Sequence, residues 1–343
     1  MSTFEQHLEE IASDLYGTSS HCDFAIVRDF VINNIVRANE LLTSTCQVET
    51  LDFGSRALGI HTPYSDYDVF VVLKFPSYKN IIVRQDYHHF GLVNLDFNNV
   101  AFDSFAEDAL LDNRFCLRRE GVQSLMHSIL INAHGCTVFG MNNDLYRLHY
   151  KRRQTSHTIT AESENYRFSI DFVPAIRMHF NGYECQAVPK YGGGPKWFNE
   201  CTFMVNNVQS EIRHITSGGK NMRDAIVLLK ALCEVNNLPK IRNYHLVSTA
   251  INLICSDYYD EFSLEDVFLS LLYNLAEAFN EHDLPYAIYG DLDLLSNFNS
   301  LKVIEYADVL NRAFRTLKTY PDKYNLSFER CSWHFYGDDD YYE

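Results

Sequence analysis

The residues with the clearest chemical potential lie between positions 51 and 74, in the segment LDFGSRALGIHTPYSDYDVFVVLK. Gly54 and Ser55 follow an apolar stretch and form a turn in which backbone N–H groups and a hydroxyl can approach phosphate oxygens closely. Asp66 and Asp68 flank one residue at the start of the next predicted strand, where the two-residue period sends both carboxylates to the same face. Two such carboxylates repel each other unless a cation lies between them. The pattern predicts a site for phosphate and Mg²⁺.

A third carboxylate, Asp171, lies within the apolar sequence FSIDFV at residues 168–173. An aspartate buried among such residues is costly unless it has a partner. Two explanations remain open from the residues alone. Asp171 is either a core aspartate hydrogen-bonded to the backbone, or it shares a metal ion with Asp66 and Asp68. The second explanation accounts for all three residues.

Strand patterns surround these carboxylates. We predict strands over residues 46–53, 67–75, 145–151, 157–161 and 166–173, and a hairpin over 178–188. The hairpin is the strongest local signal, because its Asn181-Gly182 turn accepts positive φ at both positions. Apolar residues at helical spacing over 23–42 predict one long spine helix. Together these elements indicate a mixed β-sheet with a helix packed on it.

The pattern becomes helical from residue 224 onward. Helices are predicted over residues 224–235, 244–255, 263–280 and 301–317, and Ser263 is the expected N-cap of the third. This favours an α/β protein of two lobes. We expect a core lobe with the spine helix over residues 1–200 and a C-terminal helical bundle over residues 201–343, with the active site in the cleft between them.

Composition restricts the partners. The 343 residues carry a formal net charge of −16, which argues against indiscriminate binding to nucleic acid. Local basic clusters remain at residues 147–153, 213–223 and 240–242, and these are either a binding patch or ordinary solvated charge. No run of eighteen apolar residues and no signal-like N-terminus occur, and the nine cysteines show no short-spaced pairs. We therefore expect a cytoplasmic protein with free thiols and no membrane contact.

Several motifs carry a family resemblance. The Gly-Ser turn, the sequence SDYD at 65–68 and the sequence IDFVPA at 170–175 together resemble the polymerase-β-like nucleotidyltransferases. Within that superfamily, VPK at 188–190 followed by Trp197, RDAIVLLK at 223–230 and NYHL at 243–246 resemble the cyclic GMP-AMP synthase-like receptors. The resemblance covers roughly residues 20 to 320. It implies the bilobal nucleotidyltransferase fold, with ATP and GTP as substrates and a cyclic dinucleotide as product.

The resemblance also implies residue roles. Asp66, Asp68 and Asp171 would be the catalytic metal ligands for two Mg²⁺ (or Mn²⁺) ions, and Gly54 and Ser55 would hold the donor phosphates. These assignments agree with the chemistry that the residues indicate by themselves.

Two downstream residues receive roles from the resemblance alone. Lys230 would reach the triphosphate and Tyr244 would stack on a purine base. Without the resemblance, Lys230 would more simply be a solvated helix residue and Tyr244 a core aromatic.

The sequence departs from the vertebrate DNA sensor of this family in two places. The zinc site of that sensor uses one His and three Cys before the helix of Lys230, whereas residues 211–224 here contain only His214. We expect no structural zinc. Phe198 follows Trp197 where that sensor carries an arginine for the acceptor base, which leaves the base preference and linkage open. With the acidic charge, these departures argue against DNA as a partner and leave double-stranded RNA, bound through a basic cluster, as one candidate activator.

Two other functions compete with a cyclic dinucleotide synthase. One is a linear 2'-5'-oligoadenylate-type synthetase. The other is a catalytically silent, developmental member of the same family that acts as a binding module. The intact Asp66, Asp68 and Asp171 argue against the silent member.

Overall fold

A computed structural model describes residues 3–16, 23–63, 65–101, 104–256 and 263–336. The strands are β1 (Gln47–Phe53), β2 (Tyr67–Lys74), β3 (Ile82–Gln85), β4 (Val93–Asp96), β5 (Thr137–Phe139), β6 (Leu145–Arg152), β7 (His157–Glu162), β8 (Arg167–Phe180), β9 (Tyr183–Pro189) and β10 (Phe203–Asn206). The helices are α1 (Phe4–Tyr16), α2 (Asp23–Phe30), α3 (Glu40–Thr45), α4 (Gly54–Ala57), α5 (Ser104–Leu110), α6 (Arg119–Leu130), α7 (Val208–Ser217), α8 (Gly219–Val235), α9 (Asn243–Ile254), α10 (Leu264–Glu281), α11 (Ser300–Leu317) and α12 (Phe328–Tyr336).

The chain forms two compact units that alternate along the sequence. The sheet unit consists of Ser20–Gly54 and Asp66–Val208, and the helical unit consists of Met1–Ser19, Ser55–Ser65 and Gln209–Glu343. Compact units need not coincide with domains, and the domain boundary at residue 200 stays a prediction.

The sheet unit contains a mixed sheet with ten strands among the described residues. The order β3-β4-β10-β9-β8-β7-β6-β5 forms one path, and β2 pairs with both β1 and β8. The β2–β8 pair is parallel, whereas the other strand pairs of this sheet are antiparallel. The predicted α/β class and mixed sheet are confirmed.

Strand β8 is longer than predicted. One continuous strand from Arg167 to Phe180 replaces the predicted strand over 166–173 and the first arm of the hairpin. The reason is tertiary, since β2 pairs along residues 170–176 and β9 pairs along residues 176–180, so that successive partners support the full length. The Asn181-Gly182 hairpin is confirmed, with φ of 50° and 86° at the two turn residues.

The spine helix is shorter than predicted. Helix α2 continues as a π-helical segment, Val31–Val36, and the chain then leaves the helix before α3 begins at Glu40. Asn39 separates the two, because its extended backbone (φ −78°, ψ 106°) ends one helix and its side chain accepts a hydrogen bond from Leu42 N to start the next. The prediction of a single helix over 23–42 is therefore wrong.

The helical unit is organised around α8, which packs against α1, α9, α10 and α12. The four predicted C-terminal helices are confirmed as α8 to α11, and Ser263 caps α10 by accepting a hydrogen bond from Asp266 N at 3.1 Å. Residues 213–223 lie on α7 and the start of α8 rather than in a loop. Among the described residues, no helix has the length and apolar character needed to cross a membrane.

A buried acid in the helical unit gives this protein a pH-dependent stability. Glu211 is 8% exposed and accepts a hydrogen bond from Tyr286 Oη at 2.9 Å. Burial raises the pKa of Glu211 from 4.5 to about 7. Because the pKa of Glu211 is higher in the folded protein than in the unfolded chain, folding favours the protonated acid. This stabilisation is complete below pH 4.5 and is lost as the pH rises through 7. Its largest value is on the order of 3 kcal/mol.

Glu211→Gln keeps the acceptor for Tyr286 and removes the titration. We expect its free energy of unfolding to depend less on pH between 5 and 8 than that of the wild type, and to be higher than wild type at pH 8. Chemical denaturation at pH 5 and pH 8 measures the free energy of unfolding. Glu234→Gln is the control, because Glu234 is exposed. Equal slopes for wild type and Glu211→Gln would contradict the prediction.

Candidate active site

The predicted phosphate turn lies directly beneath one of the predicted catalytic carboxylates. Gly54 follows β1 with a φ of 74°, and the last residue of β1, Phe53, pairs with Asp68 on β2. A Cβ atom at Gly54 would lie 2.1 Å from Asp68 Oδ2 and 3.1 Å from Asp68 Cβ. Only glycine fits here, because any side chain would collide with Asp68 and would also need an unfavourable backbone.

The strand register brings Asp68 and Asp171 together. They are direct partners in the parallel β2–β8 pair, where neighbouring strands lie about 4.8 Å apart and paired residues face the same side of the sheet. Both side chains are half-buried. The two residues are 103 positions apart in the sequence, so this pairing is a product of the fold.

The partners of Asp171 are side-chain hydroxyls. Ser156 Oγ donates to Asp171 Oδ2 at 3.1 Å, and Thr158 Oγ1 donates to Asp171 Oδ1 at 2.6 Å. Backbone hydrogen bonds or a metal were the partners expected from the sequence, and these two hydroxyls were not predicted. The antiparallel β7–β8 register sets Thr158 opposite Asp171, and Ser156 lies immediately before β7.

Asp66 lies just before β2 and is exposed, while Tyr67 between the two aspartates is buried. This alternation agrees with Asp66 and Asp68 facing away from Tyr67. Across the described ranges, no group of three or more His, Cys, Asp or Glu side chains lies close enough to hold a metal ion. Paired carboxylates are hard oxygen donors that suit Mg²⁺, so Asp68 and Asp171 fit a divalent cation. It stays a prediction that Asp66 also binds a cation and that a second ion is bound.

The helical unit carries the other predicted nucleotide-binding residues. Ser55 is buried, at 2% exposure, and is the first residue of the segment Ser55–Ser65 that belongs to this unit. Lys230 Nζ donates to Ser65 Oγ at 3.3 Å, and Arg56 Nε donates to the Ser65 carbonyl at 3.0 Å. The ammonium of Lys230 therefore lies beside this segment rather than on a remote helix face.

His61 lies beside Arg56 and Lys230 and was not predicted from the sequence. Its imidazole is half-buried, and burial together with the positive charges of Arg56 and Lys230 lowers its pKa. The three side chains form a basic cluster within the helical unit. Arg56 and His61 lie between the Gly-Ser turn and the SDYD sequence, where residue types and spacing alone did not indicate a role.

The two aromatic residues differ in their surroundings. Tyr244 lies in the first turn of α9, is 38% exposed, and its ring stacks on His245 at 4.3 Å between centroids. Trp197, in the sheet unit, is 69% exposed, and its neighbour Phe198 stacks on His88 at 3.7 Å. Tyr244 is thus more exposed than a core aromatic, and its role in stacking on a base stays a prediction.

Comparison with known proteins supports the predicted resemblance. A family model described as the Mab-21 protein nucleotidyltransferase domain matches residues 57–200. The chain is 25% identical to cyclic GMP-AMP synthase-like receptor 1 of Drosophila erecta over 285 residues, which cover 70% of this chain and 63% of that protein. The corresponding receptor 1 of Drosophila simulans is 26% identical over 289 residues, covering 70% and 71%. These similarities confirm the predicted resemblance to the cyclic GMP-AMP synthase-like receptors.

A third relative, the cyclic GMP-AMP synthase-like receptor of Lucilia cuprina, is 23% identical over 298 residues, which cover 78% of each chain. The Mab-21 domain match includes Asp66, Asp68 and Asp171. Gly54, Ser55, Lys230 and Tyr244 lie outside its bounds. The chain spans 63% of the length of the Drosophila erecta receptor.

Proposed function

We propose that this chain is a metal-dependent nucleotidyltransferase that makes a cyclic dinucleotide from ATP and/or GTP in the cytoplasm, as part of innate immune sensing. The observation that carries this proposal is the register pairing of Asp68 with Asp171, with the Gly54 turn directly beneath Asp68. That arrangement sets candidate cation ligands beside a glycine whose backbone carries no side chain that could block phosphate oxygens. The names of the related receptors support a cyclic dinucleotide as the product.

The reaction is phosphoryl transfer at the α-phosphorus of a nucleoside triphosphate. A ribose hydroxyl oxygen forms the new P–O bond, the bond to pyrophosphate breaks, and the hydroxyl proton leaves to solvent. A second transfer closes the ring, so two triphosphates yield one cyclic dinucleotide and two pyrophosphates. Two bound Mg²⁺ (or Mn²⁺) ions would supply activation of the hydroxyl and neutralisation of the departing pyrophosphate.

The residues themselves bind and orient the substrates. Asp68 and Asp171, with Asp66, would hold the cations, and the N–H groups at Gly54 and Ser55 would contact donor phosphates. In the helical unit, Lys230 would contact the triphosphate and Tyr244 would stack on a purine. These contributions are mainly positioning and charge neutralisation, which is the general basis of catalysis in phosphoryl transfer.

We propose double-stranded RNA as the activator, bound through local basic residues. Some of the charge in the three basic clusters is already neutralised within the protein, since Arg152 pairs with Glu120 and Lys220 pairs with Asp224. RNA binding would therefore use the other basic residues and weaken with salt in proportion to the phosphates contacted. DNA is disfavoured because residues 211–224 contain only His214 of the zinc ligands that the vertebrate DNA sensor uses, on a chain with a net charge of −16.

One experiment separates the proposed function from its alternatives. Purified protein is incubated with labelled ATP and GTP, Mg²⁺ or Mn²⁺, and a panel of double-stranded RNA and DNA. A phosphatase-resistant product supports the cyclic dinucleotide synthase. A phosphatase-sensitive ladder favours a linear 2'-5'-oligoadenylate-type synthetase, and absence of product with every activator leaves the silent binding module standing.

Lys230→Met tests the triphosphate contact. We expect the KM for ATP to rise about 10- to 100-fold with a smaller change in kcat, because a hydrogen bond to a charged group contributes about 1.5–3 kcal/mol. Lys220→Met is the matched control, since Lys220 lies on the same helix and pairs with Asp224 at 2.6 Å. An unchanged KM in Lys230→Met would remove Lys230 from the site.

A further inference from the structure

The carboxylate of Asp171 is held by two hydroxyls, one immediately before strand β7 and one on it. Ser156 Oγ donates to one carboxylate oxygen at 3.1 Å and Thr158 Oγ1 to the other at 2.6 Å. A carboxylate offers about four lone-pair positions, two on each oxygen. One hydrogen bond on each oxygen therefore fixes the plane of the group and leaves each oxygen able to bind a cation.

The hydroxyl of Thr158 has a defined direction. Thr158 is 6% exposed and is the direct antiparallel partner of Asp171. Arg153 Nε donates to Thr158 Oγ1 at 3.4 Å, so this oxygen acts as the acceptor there and its own proton points to Asp171. Thr158 is also β-branched and stiff at χ1, which keeps the hydroxyl in place.

The opposite face of β7 is locked by a buried hydrogen-bond chain. His157 is fully buried, and burial lowers its pKa to about 4, so the imidazole is neutral. Gln123 Nε2 donates to the Thr155 carbonyl, which leaves Gln123 Oε1 to accept from His157 Nε2 at 2.9 Å. Tyr150 Oη then donates to His157 Nδ1 at 2.8 Å.

This chain has a consequence for the other face of the strand. Side chains alternate along a strand, so holding the His157 ring on one face presents Ser156 and Thr158 on the face of Asp171. Buried hydrogen-bond networks of this kind make the local structure rigid. The two hydroxyls are thus placed by the fold before any ligand arrives.

We infer that Ser156 and Thr158 are positioning residues that hold Asp171 in the orientation needed to bind a divalent cation. This inference rests on the proposed function, because it assigns a cation to Asp171. Partners that orient metal ligands commonly change metal affinity about 10- to 100-fold when they are removed.

The test is a calorimetric titration of the nucleotide-free protein with Mn²⁺. Thr158→Val removes the hydroxyl at nearly constant volume, and we expect the Kd for Mn²⁺ to rise about 10-fold or more. Thr158→Ser restores the hydroxyl and should bind within about 3-fold of wild type. In turnover assays, the Thr158→Val defect should shrink as Mn²⁺ is raised, which a purely structural defect would not do.

Thr160→Val is the matched control. Thr160 lies on the same strand and face two residues further on, and its hydroxyl bonds to Ser169 Oγ at 3.0 Å rather than to Asp171. It should bind Mn²⁺ like wild type, and the melting temperatures of all variants are compared to detect unfolding. Equal Mn²⁺ affinity in Thr158→Val and Thr160→Val would overturn the inference.

Asp171→Asn separates a failure of the metal assignment from a failure of the positioning role. If Asp171→Asn loses Mn²⁺ binding while Thr158→Val retains it, the metal assignment stands and the positioning role is wrong. If wild type and Asp171→Asn bind Mn²⁺ equally, the metal assignment itself fails and the positioning role fails with it.

Discussion

Asp68→Asn is expected to lower kcat for nucleotidyl transfer by at least about 10³-fold, because a metal ion contributes several kcal/mol of charge stabilisation in the transition state. The substitution keeps the size of the side chain and its position over the Gly54 turn, but it removes the negative charge. Asp68 is half-buried, so the melting temperature should change little. Steady-state kinetics with labelled ATP and GTP measure the loss, and circular dichroism measures the fold.

Asp52→Asn is the control for Asp68→Asn. Asp52 lies on the adjacent strand β1, one residue before the partner of Asp68, and its carboxylate pairs with Arg28 at 2.8 Å. Surface ion pairs of this kind contribute about 1 kcal/mol or less to stability. We expect turnover close to wild type in this control. Wild-type turnover in Asp68→Asn would show that Asp68 binds no essential cation.

Gly54→Ala is the second change with a large expected effect. The added Cβ would lie 2.1 Å from Asp68 Oδ2, 2.9 Å from Asp68 Cγ and 3.1 Å from Asp68 Cβ, so a rotation of the Asp68 side chain relieves only part of the clash. We expect a fall in kcat of about 10²-fold or more, since displacement of a catalytic group by about 1 Å can cost that much. The positive φ adds about 1–2 kcal/mol of backbone strain.

Gly182→Ala separates these two effects. Gly182 has a φ of 86° in the β8–β9 hairpin, and a Cβ atom there would meet no other heavy atom within 4 Å. It therefore imposes the backbone strain without any contact with a carboxylate. We expect both variants to lose stability in thermal denaturation, but only Gly54→Ala to lose activity beyond its loss of stability. Parallel losses of activity in the two variants would mean that strain, not displacement of Asp68, is the cause.

Much of the fold could be predicted from local patterns. The Asn181-Gly182 hairpin and the four helices α8 to α11 follow from turn chemistry and from apolar residues at helical spacing, both of which act over a few residues. The failures had two causes: tertiary strand pairing extended one element, and a local helix cap interrupted another. Strand β8 passes the predicted end at residue 173 because successive partners pair with it, and the predicted spine helix ends at Val36 because Asn39 caps a new helix.

The candidate site was also predicted only in part. The residue types and the one-residue spacing of Asp66 and Asp68 were sufficient to predict a phosphate turn beside carboxylates, because side-chain alternation is a local property of a strand. Spacing could not reveal Ser156, Thr158 or His61, since the first two meet Asp171 only through strand pairing and the third meets Lys230 only through packing.

The sequence by itself determined the chemistry of this protein: carboxylates beside a glycine turn, on an acidic chain whose motifs resemble one family. Only the tertiary structure decided the geometry that this chemistry needs. The parallel register sets Asp68 beside Asp171 across 103 residues of chain, and the close approach at Gly54 sets a carboxylate over the turn. The reason is physical, since residue type sets charge and hydrogen-bonding capacity, whereas distances between remote residues exist only after the strands have paired.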